Sequence, residues 1–216
     1  MKRKIFLFTA IILSISLFLT ACGQKLYNEE KAKENALNDL NKAFDASITE
    51  ANILLMQHEE IYLENDQILQ KEPVTWVEYY RVSVNDENGA TQYYSEVDAK
   101  TGAVTYVYLN SDLVELTQEQ EEQAEAIGTF AEYSAERFSQ EQKDAALVAV
   151  KWVQDKMEPE GEVHHATTKD IYTDQEMFPV LVFNSIVVMK SGATYQVNVV
   201  WPAMEVVQAR IFQPES

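Results

Sequence analysis

From Val74 to Val84 the side chains fall into two alternating sets, Val74, Trp76, Glu78, Tyr80, Val82 and Val84 against Thr75, Val77, Tyr79, Arg81 and Ser83. Period two in a β-branched, aromatic-rich run is the pattern of a strand, whose successive side chains point to opposite faces of a sheet. A strand needs neighbours, and the flanking sequence supplies them. Asp86-Glu87-Asn88-Gly89 reads as a turn, and Thr91 to Val97 and Ala103 to Leu109 read as two more strands. Upstream, Asn28 is an N-cap with Glu29 and Glu30 in the first turn, where negative charge suits the helix dipole. Ala32, Ala36, Leu37, Leu40, Ala43 and Phe44 recur at helical spacing, so the spacing predicts a helix over 28–45. Ile53 to Met56 is a short apolar strand, continued past an irregularity by Glu59 to Leu63, and residues 64–73 are a polar loop ending in Pro73.

The same order returns further on. Thr117 and Ser139 each precede a Gln three residues later (Gln120, Gln142), the capping-box pattern. The first opens a helix to about Arg137, weakened at Gly128, and the second a helix to about Met157 with Ala145, Ala146, Val148, Ala149, Trp152 and Val153 on its apolar face. Pro159-Glu160-Gly161 ends the helical region, and strands follow over Val163–Asp170, Val180–Met189, Ala193–Trp201 and Glu205–Phe212. Gly89-Ala90-Thr91 recurs as Gly192-Ala193-Thr194, and the same offset of 103 carries Val97 onto Val200 and Val104 onto Val207. Shared spacing and shared element order point to a duplicated unit, with a linker over Asn110 to Thr117.

The N-terminus addresses location. Lys2, Arg3 and Lys4 precede a fifteen-residue apolar run, Ile5 to Leu19, the layout of a secretory signal and short for a membrane span. Leu19-Thr20-Ala21-Cys22 resembles a bacterial lipobox. The resemblance implies diacylglycerol on the Cys22 sulfur, cleavage between Ala21 and Cys22, and attachment through acyl chains such as palmitate. Residues 1–21 are then a lipoprotein signal peptide and 22–27 a lipid-anchored tether, holding the first domain within roughly 20 Å of the bilayer at about 3.3 Å per residue. Cys22 is the one cysteine, so its acylation leaves no thiol for a disulfide or for catalysis. Three of the 17 Lys and Arg precede Cys22 and none of the 35 Asp and Glu does, so the chain from Cys22 onward carries a net charge of −21. Such a surface repels nucleic acid and anionic headgroups and favours a basic partner segment, with affinity falling as salt screens it. Attachment therefore rests on the lipid.

Tyr80-Arg81-Val82-Ser83-Val84, followed by Val97-Asp98-Ala99-Lys100-Thr101-Gly102-Ala103-Val104, resembles the PepSY domain. Its hairpin is legible in physical terms. Asp98 can accept hydrogen bonds from amides ahead of it, and Gly102 supplies the positive φ that restores register. Asp98, Thr101 and Gly102 are thus structural turn residues. The second half has Trp201-Pro202-Ala203-Met204-Glu205 in place of Asp98 to Gly102, which marks it as a diverged copy. The resemblance implies a non-catalytic, extracytoplasmic module, from a family associated with inhibiting or chaperoning secreted peptidases and with processes near the cell wall.

Catalytic constellations do not assemble from the sequence. His164 and His165 are adjacent, so a regular strand sends them to opposite faces. His58-Glu59-Glu60-Ile61-Tyr62 lacks the second histidine of a zinc-protease helix. Setting Gly89 at the sixth position of a calcium loop puts Val84 first and Ser95 twelfth, where oxygen ligands are required. The six glycines form no phosphate-cradling loop, and no serine lies in a Gly-x-Ser-x-Gly surround. The acidic run Glu119 to Glu125 is a solvated helix start. Cofactors and metals are expected to be absent.

The expected architecture is α+β, with tandem PepSY-like units at 28–113 and 114–216, each a helix packed on an antiparallel β-sheet. The expected function is a lipid-anchored extracytoplasmic binding and regulatory module acting on a protein or peptide partner, a secreted or wall-associated peptidase among them. The alternative is an envelope hydrolase with dispersed catalytic residues. Alternation leaves one of two sets, Trp76 with Tyr80 or Val77 with Tyr79, on the exposed face as the candidate binding surface. Substituting Cys22→Ser is expected to leave the protein without lipid or unprocessed. Metabolic labelling with a fatty acid checks it, and equal label in both proteins would contradict the acylation of Cys22.

Overall fold

The computed structural model describes residues 26–59, 62–64, 67–69, 76–126, 138–157, 159, 161–173 and 181–212. Helix α1 (Glu29–Phe44) opens at Asn28, whose Oδ1 accepts the Lys31 N–H at 3.0 Å. It closes at Asp45 in the left-handed region (φ 49°). Its buried stripe is Ala32, Ala36, Leu40 and Ala43, small residues that let the helix axis lie close to the sheet beneath. Helices α2 (Gln118–Glu125) and α3 (Ser139–Trp152) follow, α3 continuing into a π turn over Val153–Met157.

Strands β1 (Asn52–Glu59), β4 (Trp76–Asn85), β5 (Thr91–Asp98), β6 (Val104–Leu109), β7 (Val163–Thr173), β8 (Leu181–Met189), β9 (Thr194–Trp201) and β10 (Glu205–Phe212) form one antiparallel sheet. Its order is β1-β4-β5-β6-β10-β9-β8-β7. Counted inward from either edge, each half contributes its strands in chain order, and the two last strands meet at the seam. There Tyr106, Val107 and Tyr108 of β6 stand opposite Arg210, Ala209 and Gln208 of β10.

Helices cover one face. α1 lies over β4, β5 and β6, and α3 over β7 to β10. Alternation decides which side chains they bury. Tyr80, Val82 and Val97 enclose one cluster with Ala32 and Ala36. A larger cluster joins Leu40 and Ala43 of α1 to Ala145 and Ala149 of α3 through Val107, Ala209, Phe183, Val187, Val197 and Val199. The halves therefore share an apolar core as well as a sheet. The opposite face of the second half is covered differently. Residues 110–117, expected as a linker, carry a 3-10 turn capped by Asn110, and Val114 packs on Val182, Val200 and Val207.

Several expectations change. The polar loop over 64–73 contains a strand, β3 (Gln67–Leu69), which pairs with β2 (Tyr62–Glu64). In that pairing Glu64 stands opposite Gln67. The helix opened at Thr117 ends at Glu125, and its expected continuation past Gly128 lies outside the described residues. Thr117 forms the expected capping box, with Thr117 Oγ1 accepting from the Gln120 N–H and Gln120 Oε1 accepting from the Thr117 N–H. Ser139 does not. It is the first helical residue, and the cap position belongs to Phe138, which makes no side-chain cap bond. Phe138 is buried, edge-on to Phe183 and Trp201, and this anchor sets the helix start one residue early. Thr117→Ala is expected to cost about 1 kcal/mol and Ser139→Ala less than about 0.5 kcal/mol. Denaturant melts of the two variants check the difference.

Candidate functional site

The hairpin between β5 and β6 is built as its sequence requires. Asp98 Oδ1 accepts from the Lys100 N–H (2.9 Å), the Thr101 N–H (2.7 Å) and the Thr101 hydroxyl (2.9 Å). Gly102 has φ +76°, and its N–H donates to the Asp98 carbonyl at 2.9 Å. The turn also clamps the N-terminal segment. The Tyr27 N–H donates to the Ala99 carbonyl (2.7 Å), the Tyr80 hydroxyl donates to the Tyr27 carbonyl (2.7 Å), and Asn35 Nδ2 donates to the Gly102 carbonyl (2.8 Å). A β-carbon on Gly102 would overlap the Tyr27 ring. Asp98 Oδ1, Thr101 Oγ1 and the Gly102 N–H and carbonyl are thus all engaged in bonds within the fold.

The proposed lipidation residue Cys22 and its neighbour Ala21 lie outside the described residues. The candidate binding face splits. Tyr80 points inward and is 4% exposed beneath α1, which removes it from the surface set. Trp76 opens β4, and its side chain lies outside the described residues. Val77 and Tyr79 point away from the helices, Val77 at 36% exposure. Pairing brings Leu54, Met56 and His58 of β1 opposite Arg81, Tyr79 and Val77 on that same face. Leu54 is 61% exposed, and His58 meets the Tyr79 ring edge-on at 5.8 Å.

Toward the seam this face turns polar-aromatic. The Arg81 guanidinium lies 5.0 Å from the Tyr94 ring centroid and the Arg210 guanidinium 4.8 Å from that of Tyr106. Tyr94 and Tyr106 meet edge-on at 5.4 Å. The Tyr94 hydroxyl donates to Glu96 Oε1 at 2.6 Å, while Glu96 Oε2 lies 3.6 Å from Arg210. Burial, then the Glu96 hydrogen bond, raises the Tyr94 phenol above its ordinary range. Burial also pushes Tyr106 up to about 12, with Arg210 opposing the shift. Both phenols therefore stay neutral at physiological pH. Guanidinium-capped rings with a carboxylate between them provide stacking and hydrogen bonding, the chemistry of recognition. Sequence reasoning missed this ladder because half of it crosses the seam, a pairing between residues about 100 positions apart.

On the helical face, a cleft of about 490 Å³ opens between the C-terminal ends of α1 and α3. Phe44, Trp152, Leu109 and Met204 line it, with Lys151 and Asp155 at the rim. Lys156 Nζ and Asp45 Oδ1 pair across it at 2.6 Å.

The remaining histidines are placed unexpectedly. A register shift between Val163 and His165 brings the His164 and His165 rings to 5.0 Å, where regular alternation separates them. No group of three or more His, Cys, Asp or Glu positioned to hold a metal occurs among the described residues. The Asp86 carboxylate accepts from the Asn88 and Ala90 N–H groups, both at 2.8 Å, as in a hairpin turn.

No family model matches the chain, and no curated protein matches it. Among solved structures it is similar to the Bacillus megaterium YpeB C-terminal domain, at a TM-score of 0.40 and 14% sequence identity, over 86% of this chain and 63% of that one. The chain thus spans less than two thirds of that neighbour, and a likeness of this depth carries no argument about function.

Gly102→Val is expected to destabilise the protein by about 1–3 kcal/mol, since it combines strain at positive φ with displacement of Tyr27. Glu205→Val, at the corresponding position of the second hairpin, is expected to cost far less. Denaturant melts of the full chain check both, and a neutral Gly102→Val would contradict the clamped turn.

Proposed function

We propose that this chain is a lipid-anchored, extracytoplasmic binding and regulatory module that acts by association and catalyses nothing. In this reading two tandem PepSY-like units, 28–113 and 114–216, share one sheet, and acyl chains on Cys22 hold them at the outer face of a bacterial cytoplasmic membrane. The partner is a secreted or wall-associated protein, a peptidase being the leading class. Supporting the tandem reading are the strand order, which runs alike inward from both edges, and the offset of 103 between the halves. Supporting the anchor is the Leu19-Thr20-Ala21-Cys22 sequence behind its apolar run.

One observation carries the binding reading. The sheet face opposite α1 presents Leu54, Met56, Val77 and Tyr79 together, and the guanidinium of Arg81 borders them. Apolar and aromatic side chains grouped at a surface with a charged margin have the composition of an interaction patch. The net charge of −21 from Cys22 onward favours a partner with basic segments.

A photo-crosslinking residue at position 79, in the native envelope, is expected to trap one partner. The Val77→Ser/Tyr79→Ser double variant is expected to lose capture at neighbouring positions, with its melt shifted by less than about 1 kcal/mol. Unchanged capture would contradict the proposal. So would turnover of a peptide, ester or glycan by the purified chain that disappears on changing a single carboxylate or histidine.

A further inference from the structure

The two edges of the eight-stranded sheet are built to opposite rules. Edge strands expose a row of unpaired N–H and C=O groups, and proteins that gain nothing from the exposure blunt it with bulges, lysines or prolines. β7 is blunted. Its pairing with β8 shifts register twice, between Val163 and His165 and between Thr168 and Asp170, and Lys169 stands exposed on it. β1 is not. It pairs with β4 without a break from Asn52 opposite Ser83 to Glu59 opposite Trp76, and its sequence has no lysine, arginine or proline. Its outer side has no strand partner among the described residues.

The side chains of β1 reinforce the contrast. Ile53, Leu54, Leu55 and Met56 are four successive apolar residues. Leu54 is 61% exposed on the face opposite the helices and Leu55 37% exposed on the face that carries Tyr80. An incoming strand would cover Leu54 on one face and Leu55 on the other, because its own side chains alternate. Nothing in the sheet itself calls for two exposed leucines on a strand of unbroken register.

We propose that the outer edge of β1 docks an extended polypeptide segment with alternating apolar side chains and basic flanks, which joins the sheet as a ninth strand. The inference rests on the binding reading above and gives it a mode and a ligand chemistry. Charge chooses between occupants. A second copy would bring another strongly acidic surface, −21 from Cys22 onward, to the same edge. A lysine- or arginine-flanked segment meets that acidic surface favourably.

The test uses the full chain in detergent micelles and a fluorescein-labelled peptide, Lys-Lys-Thr-Val-Thr-Val-Thr-Val-Lys-Lys. Two further peptides carry N-methyl groups on the threonine amides or on the valine amides. In an added strand one set of amides faces β1 and the other faces solvent. Methylating one set is therefore expected to weaken binding by about tenfold or more, and methylating the other to be tolerated. The parent peptide is expected to slow hydrogen exchange selectively at amides of residues 53–58 and to bind more weakly as salt rises. Equal binding of all three peptides would overturn the proposal, as would no binding up to about 1 mM. Protection of β1 amides that grows with protein concentration and without peptide would overturn it too, by assigning the edge to a second copy. The outcomes separate the two readings. Failure of the peptide with position-79 crosslinks intact removes the edge alone. Successful peptide docking with unchanged crosslinks in the Val77→Ser/Tyr79→Ser variant removes the face and keeps the edge.

Discussion

The antiparallel pairing of β6 with β10 is the contact on which the rest of the architecture depends. It is short, with Tyr106, Val107 and Tyr108 opposite Arg210, Ala209 and Gln208. Each of its faces nevertheless belongs to a larger assembly. Beneath the helices, Val107 and Ala209 are fully buried and connect the apolar stripes of α1 and α3. On the opposite face, Arg210 reaches across the seam to the Tyr106 ring and to Glu96. With no cysteine available for a crosslink among the described residues, burial at this seam and beneath the two helices has to hold the halves together.

The seam also explains the distribution of surface character. Strands near it are covered by helices on one side and, in the second half, by the 110–117 segment with Val114 on the other. At β1, Ile53 still packs beneath α1, while Leu54 and Leu55 are exposed. The acidic charge is spread over loops and helix surfaces, while the outer sheet face carries Arg81 and Arg210 stacked on tyrosines.

What the sequence made legible was local chemistry. Asn28, Thr117, Asp98 and Gly102 each act through bonds to residues a few positions away, and each occupies its expected role. The helix and strand content followed from periodicity, and the α+β class from their order. Failures came where a distant contact decided the outcome. Ser139 lost its cap role because Phe138 is anchored by Phe183 and Trp201. His164 and His165 came together through a bulge that pairing with β8 imposes. Alternation narrowed the binding face to two sets, but only the position of α1 over Ala32 and Ala36 shows that Tyr80 is inside and Tyr79 outside. The Tyr94–Tyr106 ladder needed the seam, which no short-range pattern encodes.

The clamp at Tyr27 has a mechanical meaning. Tyr27 donates its N–H to Ala99 and receives the Tyr80 hydroxyl on its carbonyl, so the chain enters the fold at the tip of the β5–β6 hairpin. Tension applied from the N-terminal side is delivered to that tip and from there to β5, which pairs along its length with β4 and β6. Helix α1 starts at Glu29, beyond the clamp, and is tied to the same tip by Asn35 Nδ2 on the Gly102 carbonyl. A pull on the N-terminus would thus be met first at the hairpin tip, where the sheet and, through Asn35, the first helix share the load.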